Sequence, residues 1–99
     1  MTLIEFHPDA AQEANDAVDY YDRLRAGLGD DFRAALDAAL SRMQQNPKMY
    51  GVELSTIRLI PLHRFPYSVY FEEFADRIWV AAVSHQSRRP GYWSSRKPN

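Results

Sequence analysis

The chain contains no cysteine, only four glycines and no long apolar run. Without cysteine it can form neither disulfides nor thiolate-based zinc sites. No segment approaches the roughly 20 apolar residues that a membrane span requires. The opening MTLIEFHPDA lacks the basic start and the long apolar core of a secretory signal peptide. These absences lead us to expect one cytoplasmic domain over residues 1–99, with no membrane association and no metal site or cofactor.

Charges of the two signs are unevenly distributed, although the formal net charge is only -1. Residues 1–40 hold nine acids and three bases, whereas residues 41–99 hold four acids and nine bases. A basic C-terminal half favours an acidic or polyanionic partner. The acids of the first half fit ordinary solvated helix faces equally well, so the charge pattern alone leaves the partner open.

Two consecutive helices are predicted in the first half. Apolar residues recur at three- and four-residue spacing over residues 9–26 and again over residues 30–45. Pro8 suits a first helical turn, with His7 or Asp9 as the cap. The GLG sequence between the helices supplies a glycine terminus, and Asp30 or Asp31 is expected to cap the second helix. So short a connection predicts an antiparallel helical hairpin.

A short strand is predicted at residues 2–6, and three more at residues 57–62, 67–74 and 77–84, after a loop at residues 48–56. Short turns between the last three predict an antiparallel meander. Alternation in the last strand predicts one face with Ile78, Val80 and Ala82 and the other with Trp79, Ala81 and Val83. The expected class is α+β, in the order β-α-α-β-β-β, with the hairpin on one sheet face.

The order and spacing of these pieces resemble the RelE/ParE superfamily of bacterial type II toxin–antitoxin toxins. The resemblance covers nearly the whole chain and rests on four segments, HPDAAQEANDAVDYYDRLRAGLGDDFRAAL, NPKMYG, RLIPLHRFPYSVYF and VAAVSHQSRRPGYWSSR. It implies the fold just described and a small toxin neutralised by a cognate antitoxin. GLGDDF and the alanine-rich first helix are similar to the ParE-like branch, which implies binding and inhibition of DNA gyrase.

The RelE-like branch implies a different activity, metal-independent cleavage of messenger RNA on the ribosome by acid–base chemistry. Tyr92 matches the C-terminal tyrosine of those nucleases, but Gln86 and Tyr67 stand where they carry arginines. The catalytic candidates for this alternative are His85, Arg88, Arg89 and Tyr92, with Arg58 in addition. Whether the chain is an enzyme therefore stays open at this point, and a degenerate, non-toxic member that only binds an antitoxin is a third alternative.

In the ParE-like interpretation the C-terminal residues form a target-binding surface of Arg88, Arg89, Tyr92, Trp93 and Arg96. Guanidinium groups bind carboxylates or phosphates bidentately, and aromatic side chains serve as interface anchors. The alternative is that Trp93 folds back onto the sheet and that the arginines pair with acids of the helices.

The expected antitoxin contacts are Tyr20, Tyr21 and Leu24, on the first helix. Adjacent residues cannot share one helix face, so one of the two tyrosines should pack inward and the other should be partly exposed. Any contact with DNA is expected to be indirect, through the antitoxin.

Overall fold

A computed structural model describes residues 2–54 and 56–98, in which two helices cover one face of a five-stranded sheet. The elements in chain order are β1 (Leu3–Phe6), α1 (Pro8–Leu24), α2 (Leu28–Gln45), a 3₁₀ turn (Pro47–Met49), β2 (Val52–Leu54), β3 (Ile57–Pro61), β4 (Tyr67–Glu73) and β5 (Arg77–His85). The predicted α+β class is confirmed, with one strand more than expected. Neither helix in the described ranges is long and apolar enough to cross a membrane.

The strand order in the sheet is β1-β5-β4-β3-β2. Neighbouring strands from β2 to β5 are antiparallel, which confirms the predicted meander of the last three. β1 instead runs parallel to β5 and pairs with it only from Arg77 to Val80. The chain then turns into α1, so within the described residues the edge of β5 from Ala81 onward has no strand partner.

Strand β2 corrects the prediction that residues 48–56 form a loop. Val52 pairs with Arg58 and Leu54 pairs with Ile57, which adds a short outer strand to the sheet. Three residues are too few to display an alternating pattern, so sequence periodicity gave no signal here. Ser55, inside the predicted loop, lies outside the described residues.

The start of α1 follows the sequence prediction, whereas the start of α2 does not. His7 Nδ1 accepts a hydrogen bond from the Asp9 amide at 3.0 Å, which confirms the histidine cap. The predicted cap of α2 by Asp30 or Asp31 is wrong, because α2 begins at Leu28 and no side chain caps it from its N-cap residue. A carboxylate from α1 caps α2 instead, since Asp22 Oδ1 accepts a hydrogen bond from the amide of Gly29 at 2.7 Å.

Strand β5 departs from strict alternation at a β-bulge. Tyr70 pairs with Ala82 but Phe71 pairs with Val80, which leaves Ala81 as the extra residue. Beyond the bulge the two faces are exchanged, so Ala82 packs on the face of Trp79, and Val83 joins the core beneath the helices. The predicted faces of Ala82 and Val83 are therefore wrong.

The sheet is covered on both faces. The larger core lies between the helices and the sheet, and its fully buried side chains include Phe32, Met43 and Phe71. On the opposite face Trp93 packs with Trp79, so both tryptophans are core residues. The residues after β5 thus complete a second core.

Candidate functional site

Residues 86–96, which we call the terminal segment, leave the end of β5 in a series of tight turns. The Gln86 amide donates to the Pro66 carbonyl at 2.8 Å, which ties the start of the segment to the β3–β4 connection. Gly91 has a φ of 74°, a left-handed conformation that glycine adopts without strain. Tyr92, Ser94 and Arg96 each donate their amide to the carbonyl three residues earlier. The segment is therefore ordered by its own backbone.

Trp93 anchors the terminal segment to the sheet. Its side chain is only 2% exposed, and its ring centroid lies 4.8 Å from that of Tyr70. This is the alternative in which Trp93 folds back onto the sheet. A side chain so deeply buried offers no surface to a partner, so the predicted target-binding surface loses its tryptophan in this conformation.

A carboxylate of α1 holds two further residues of the terminal segment. The Tyr92 hydroxyl donates to Glu13 Oε2 at 2.6 Å. The Arg96 guanidinium donates to both Glu13 oxygens at 3.0 Å each, a bidentate ion pair. Both side chains of this pair are largely buried, with 13% of Arg96 and 15% of Glu13 exposed. The expectation that an arginine near the C-terminus pairs with a helix acid is met here.

The same pair covers the open edge of β5. Glu13 Oε1 accepts the Val83 amide at 3.0 Å, and Arg96 Nη1 donates to the Ala81 carbonyl at 2.9 Å. The Ala81 carbonyl belongs to the bulge and the Val83 amide follows it, in the part of β5 where β1 no longer pairs. Unpaired buried backbone groups are costly. Glu13 and Arg96 therefore replace a missing strand partner, and they link the bulge to the terminal segment.

The environment of Glu13 holds Tyr92 and Arg96 in their protonated forms. Burial raises the pKa of Tyr92, and the hydrogen bond to Glu13 raises it further. Burial by itself acts to lower the pKa of Arg96, but the hydrogen bonds and charge of Glu13 outweigh it, so that this pKa lies above its ordinary value. At neutral pH the Tyr92 hydroxyl is thus a donor committed to Glu13.

The exposed cations of the terminal segment are Arg88 and Arg89. The Arg88 guanidinium carbon lies 3.9 Å from the centroid of the Tyr92 ring, within cation–π range. Both arginines border an open groove of about 380 Å³ whose sheet side includes Leu59 and Tyr70. None of the described residues that line this groove is acidic. The groove is suited to an anionic group flanked by apolar surface.

His85 is arranged as a structural hydrogen-bond acceptor. Its Nδ1 accepts the Ser87 amide at 3.0 Å, and its ring packs edge-on against Tyr67 with centroids 5.1 Å apart. An Nδ1 that accepts an amide proton leaves the proton of the neutral ring on Nε2. In this arrangement neither ring nitrogen has a lone pair free to take a proton from a substrate.

Arg58 lies on the opposite face of the sheet from Trp93. It pairs across strands with Phe71, which belongs to the core beneath the helices, and paired residues share a face. Its Nη1 donates to the Tyr50 carbonyl at 2.6 Å. The structure therefore brings Arg88 and Tyr92 together but does not bring Arg58 to them.

The fold and this segment can now be compared with known proteins. The family described as "ParE toxin of type II toxin-antitoxin system, parDE" matches residues 4–90. The chain belongs to the ParE toxin family. This confirms both the predicted superfamily and its ParE-like branch, and membership of a toxin–antitoxin family implies an antitoxin partner. The match ends at Pro90, so Tyr92, Trp93 and Arg96 lie beyond it.

A solved structure titled "Chromosomal ParDE TA system from P. aeruginosa" superposes on this ParE-family chain with a TM-score of 0.64. The sequence identity is 16%, and the alignment covers 86% of this chain and 96% of the other. At that identity the likeness demonstrates the fold alone. A search of curated proteins gave no match.

Two of the three expected antitoxin contacts of this ParE-family chain are exposed and one is buried, and only one of the two tyrosines packs inward, as the helix geometry predicted. Tyr20 and Leu24 are 48% and 60% exposed, so both are accessible. Tyr21 is buried, and its ring packs on Phe32 with centroids 5.5 Å apart. A partner seated on α1 therefore meets Tyr20 and Leu24, with Tyr21 supporting them from beneath.

Glu13 is a residue of this site that the sequence alone did not single out. It is one of the acids of residues 1–40 that fit solvated helix faces, but its side chain points at the edge of β5. The sequence spacing does indicate this position, because Glu13 lies three residues after Ala10 and four before Ala17, at the border of the buried stripe.

The described residues contain no cluster of three or more metal-ligating His, Asp or Glu side chains.

Proposed function

We propose that this ParE-family protein is a toxin that arrests growth by binding and inhibiting DNA gyrase, and that a cognate antitoxin neutralises it. Such a target also implies action in the cytoplasm. The observation that carries a binding mechanism is the commitment of Tyr92 and Arg96 to Glu13. A catalytic acid or base must exchange a proton with its substrate. A hydroxyl held 2.6 Å from a carboxylate, with a raised pKa, is a poor candidate for that role.

The exposed part of the terminal segment supports the same conclusion. Arg88 and Arg89 stand beside a groove free of acids, where carboxylates of a protein partner can pair with them. Ribonuclease chemistry needs several groups around one phosphate. Arg58 faces the other side of the sheet, and His85 Nδ1 is already used as an acceptor. Of the groups named for catalysis, Arg58 therefore lies apart and His85 Nδ1 is occupied, whereas the exposed Arg88 and Arg89 stand beside one groove and are suited to binding.

The decisive experiment assays two activities with the same preparation. Purified protein is added to gyrase in a supercoiling reaction and, in parallel, to ribosomes translating a defined messenger RNA. We expect supercoiling to be inhibited and the message to stay intact. Cleavage of ribosome-bound message with normal supercoiling would show that the nuclease alternative is correct. Normal growth on expression of folded protein would support a non-toxic, antitoxin-binding member.

The binding surface is tested with the double variant Arg88→Ala/Arg89→Ala. Because both side chains are exposed, we expect the fold to survive and gyrase inhibition to be lost or strongly weakened. The matched control is Arg33→Ala, an exposed arginine of α2 distant from the terminal segment. If the control is as defective as the double variant, the effect reflects general charge and not this surface.

Neutralisation is tested with the product of the neighbouring reading frame. We expect it to form a complex with this protein and to restore growth. Replacement of Tyr20 and Leu24 by serine should weaken that complex, because both expose large apolar surface on α1. Leu3→Ser is the control, since Leu3 is 64% exposed on β1. Equal loss of affinity in the control would place the antitoxin elsewhere.

A further inference from the structure

Glu13 has an unusual number of partners for one side chain. Its carboxylate accepts hydrogen bonds from the Val83 amide, the Tyr92 hydroxyl and two nitrogens of Arg96. These partners lie 70 to 83 residues away in sequence. A single residue of α1 thus joins the bulge of β5 to the second half of the terminal segment.

This junction includes the aromatic ring that Arg88 contacts. The Arg88 guanidinium carbon lies 3.9 Å from the centre of the Tyr92 ring, and the Tyr92 hydroxyl is fixed by Glu13. An exposed arginine without such a platform samples many rotamers, and ordering it on binding costs affinity. With the ring held in place, the guanidinium is positioned in advance at the border of the acid-free groove. Arg88 also borders a second groove, which Glu13 and Asp16 line.

We infer that Glu13 is a positioning residue for target binding: through Tyr92 and Arg96 it fixes the platform that orients Arg88 toward an acidic group of the partner. Glu13 itself does not touch the partner in this arrangement. The inference rests on the proposed function, since it assigns the role of Glu13 in the binding of that target. It makes an acid of α1 part of a binding surface whose exposed charges include those of Arg88 and Arg89.

The test substitutions are chosen to separate positioning from folding. Glu13→Gln keeps the shape but removes the charge, and its amide group opposes one of the two Arg96 donors. Tyr92→Phe keeps the ring beneath Arg88 and removes only the hydroxyl that Glu13 binds. The matched control is Asp19→Asn, which removes one charge from an exposed acid of the same helix.

The affinity for gyrase is measured in a double-variant cycle of Glu13→Gln and Arg88→Ala. We expect each single variant to weaken binding about tenfold and the double variant to bind no more weakly than Arg88→Ala. Tyr92→Phe should weaken binding by a smaller factor, and Asp19→Asn should leave it unchanged. Losses that multiply in the double variant would overturn the inference, because they would mean that Glu13 and Arg88 act independently.

A spectroscopic measurement tests the contact without reference to any target. The ultraviolet titration of Tyr92 is isolated as the difference between a protein and its Tyr92→Phe version. In the Glu13→Gln background we expect the pKa of Tyr92 to fall, because the charged acceptor is gone. An unchanged Tyr92 titration would also overturn the inference. Should Glu13→Gln not fold, Tyr92→Phe with Arg88→Ala completes the same cycle.

The two proposals fail in different ways. If the wild-type protein does not bind gyrase, the proposed target is wrong. The double-variant cycle of Glu13→Gln and Arg88→Ala is then measured by growth arrest in cells instead of by affinity for gyrase. Coupled effects of Glu13→Gln and Arg88→Ala on growth, with a lowered pKa of Tyr92, would still support positioning. Gyrase binding by the wild type with no loss in Glu13→Gln would leave the proposed function standing and reject the inference.

Discussion

At the scale of single residues, Gly29 illustrates a requirement that helix propensity conceals. It lies in the first turn of α2, where alanine is ordinarily the better helix former. A Cβ at this position would lie 2.6 Å from both the Asp22 carboxyl group and the Val18 carbonyl oxygen of α1. The two helices approach so closely here that only glycine fits. That approach also allows Asp22 to cap α2.

We therefore expect Gly29→Ala to destabilise the protein. Its overlap with the α1 backbone should cost about 1–3 kcal/mol, more than the gain of about 1 kcal/mol from helix propensity. The measurement is urea unfolding followed by circular dichroism. Gly51→Ala is the control, because nothing lies within 4 Å of a Cβ there. A more stable Gly29→Ala variant would show that α1 and α2 can separate without cost.

At the scale of elements, the end of β5 depends on residues distant from it in sequence. The bulge at Ala81 reverses the two faces of the strand, and β1 covers only its first part. Glu13 and Arg96 form hydrogen bonds with the Val83 amide and the Ala81 carbonyl, which β1 does not reach. Exposed strand edges promote unwanted pairing. The ion pair therefore protects the edge as well as ordering the terminal segment.

Removal of Arg96 should destabilise this end of the sheet. Arg96→Ala leaves Glu13 partly buried without its cation and the Ala81 carbonyl without a donor. Loss of one partner of a buried pair costs about 3 kcal/mol, somewhat less where water can reach it. We expect a lower free energy of unfolding and faster amide exchange at Val83. Arg33→Ala, on the surface of α2, should change stability by less than about 0.5 kcal/mol.

At the scale of the whole molecule, folding brings the acidic and basic halves of the chain together. Among the residues that the structure describes, three arginines of the second half pair with acids of the first, Arg64 with Asp31 at 3.5 Å, Arg77 with Glu5 at 3.1 Å and Arg96 with Glu13 at 3.0 Å. The charge split is thus partly internal. Arg88 and Arg89 remain exposed at the end of β5, and the proposed binding surface is built on them.

Stability should fall in alkaline solution. Burial raises the pKa of Tyr21 and Tyr67 as well as that of Tyr92. A folded-state pKa above the unfolded value means that the stabilisation is complete below about pH 10 and is lost as the pH rises through the folded-state pKa. Unfolding by urea between pH 8 and about pH 12 measures this. Tyr92→Phe should lose less stability over that interval, and an identical loss would contradict the assignment for Tyr92.

Target binding should weaken as salt is raised. Exposed arginines that pair with acids of a partner are screened over about 10 Å at 0.1 M salt, and their main effect is on the association rate. We expect the association rate of the wild-type protein with gyrase to fall with ionic strength. In Arg88→Ala/Arg89→Ala the slope of that dependence should be smaller. Surface-based kinetic measurements at several salt concentrations compare the two, and equal slopes would exclude these arginines from the encounter.

Some residues of the candidate site could be predicted from the sequence and others could not, for a physical reason. Arg88, Arg89 and Tyr92 are candidates from the sequence because charged and aromatic residues concentrate after β5, a feature visible in composition. The burial of Trp93 was only one of two alternatives, since residue type cannot tell an anchor in the core from an anchor in an interface. Glu13 was missed as a site residue because its partners lie in the last fifth of the chain.

The sequence by itself determined the two helices, their hairpin and the meander, because those features arise from spacing, caps and short turns between neighbours along the chain. It also determined the superfamily. Only the tertiary structure decided the bulge, the strand β2, the glycine contact between helices and the closure of the β5 edge by Glu13 and Arg96. Each of these depends on how helices and strands pack and pair with one another after they have formed, and the local periodicity of the sequence does not encode that.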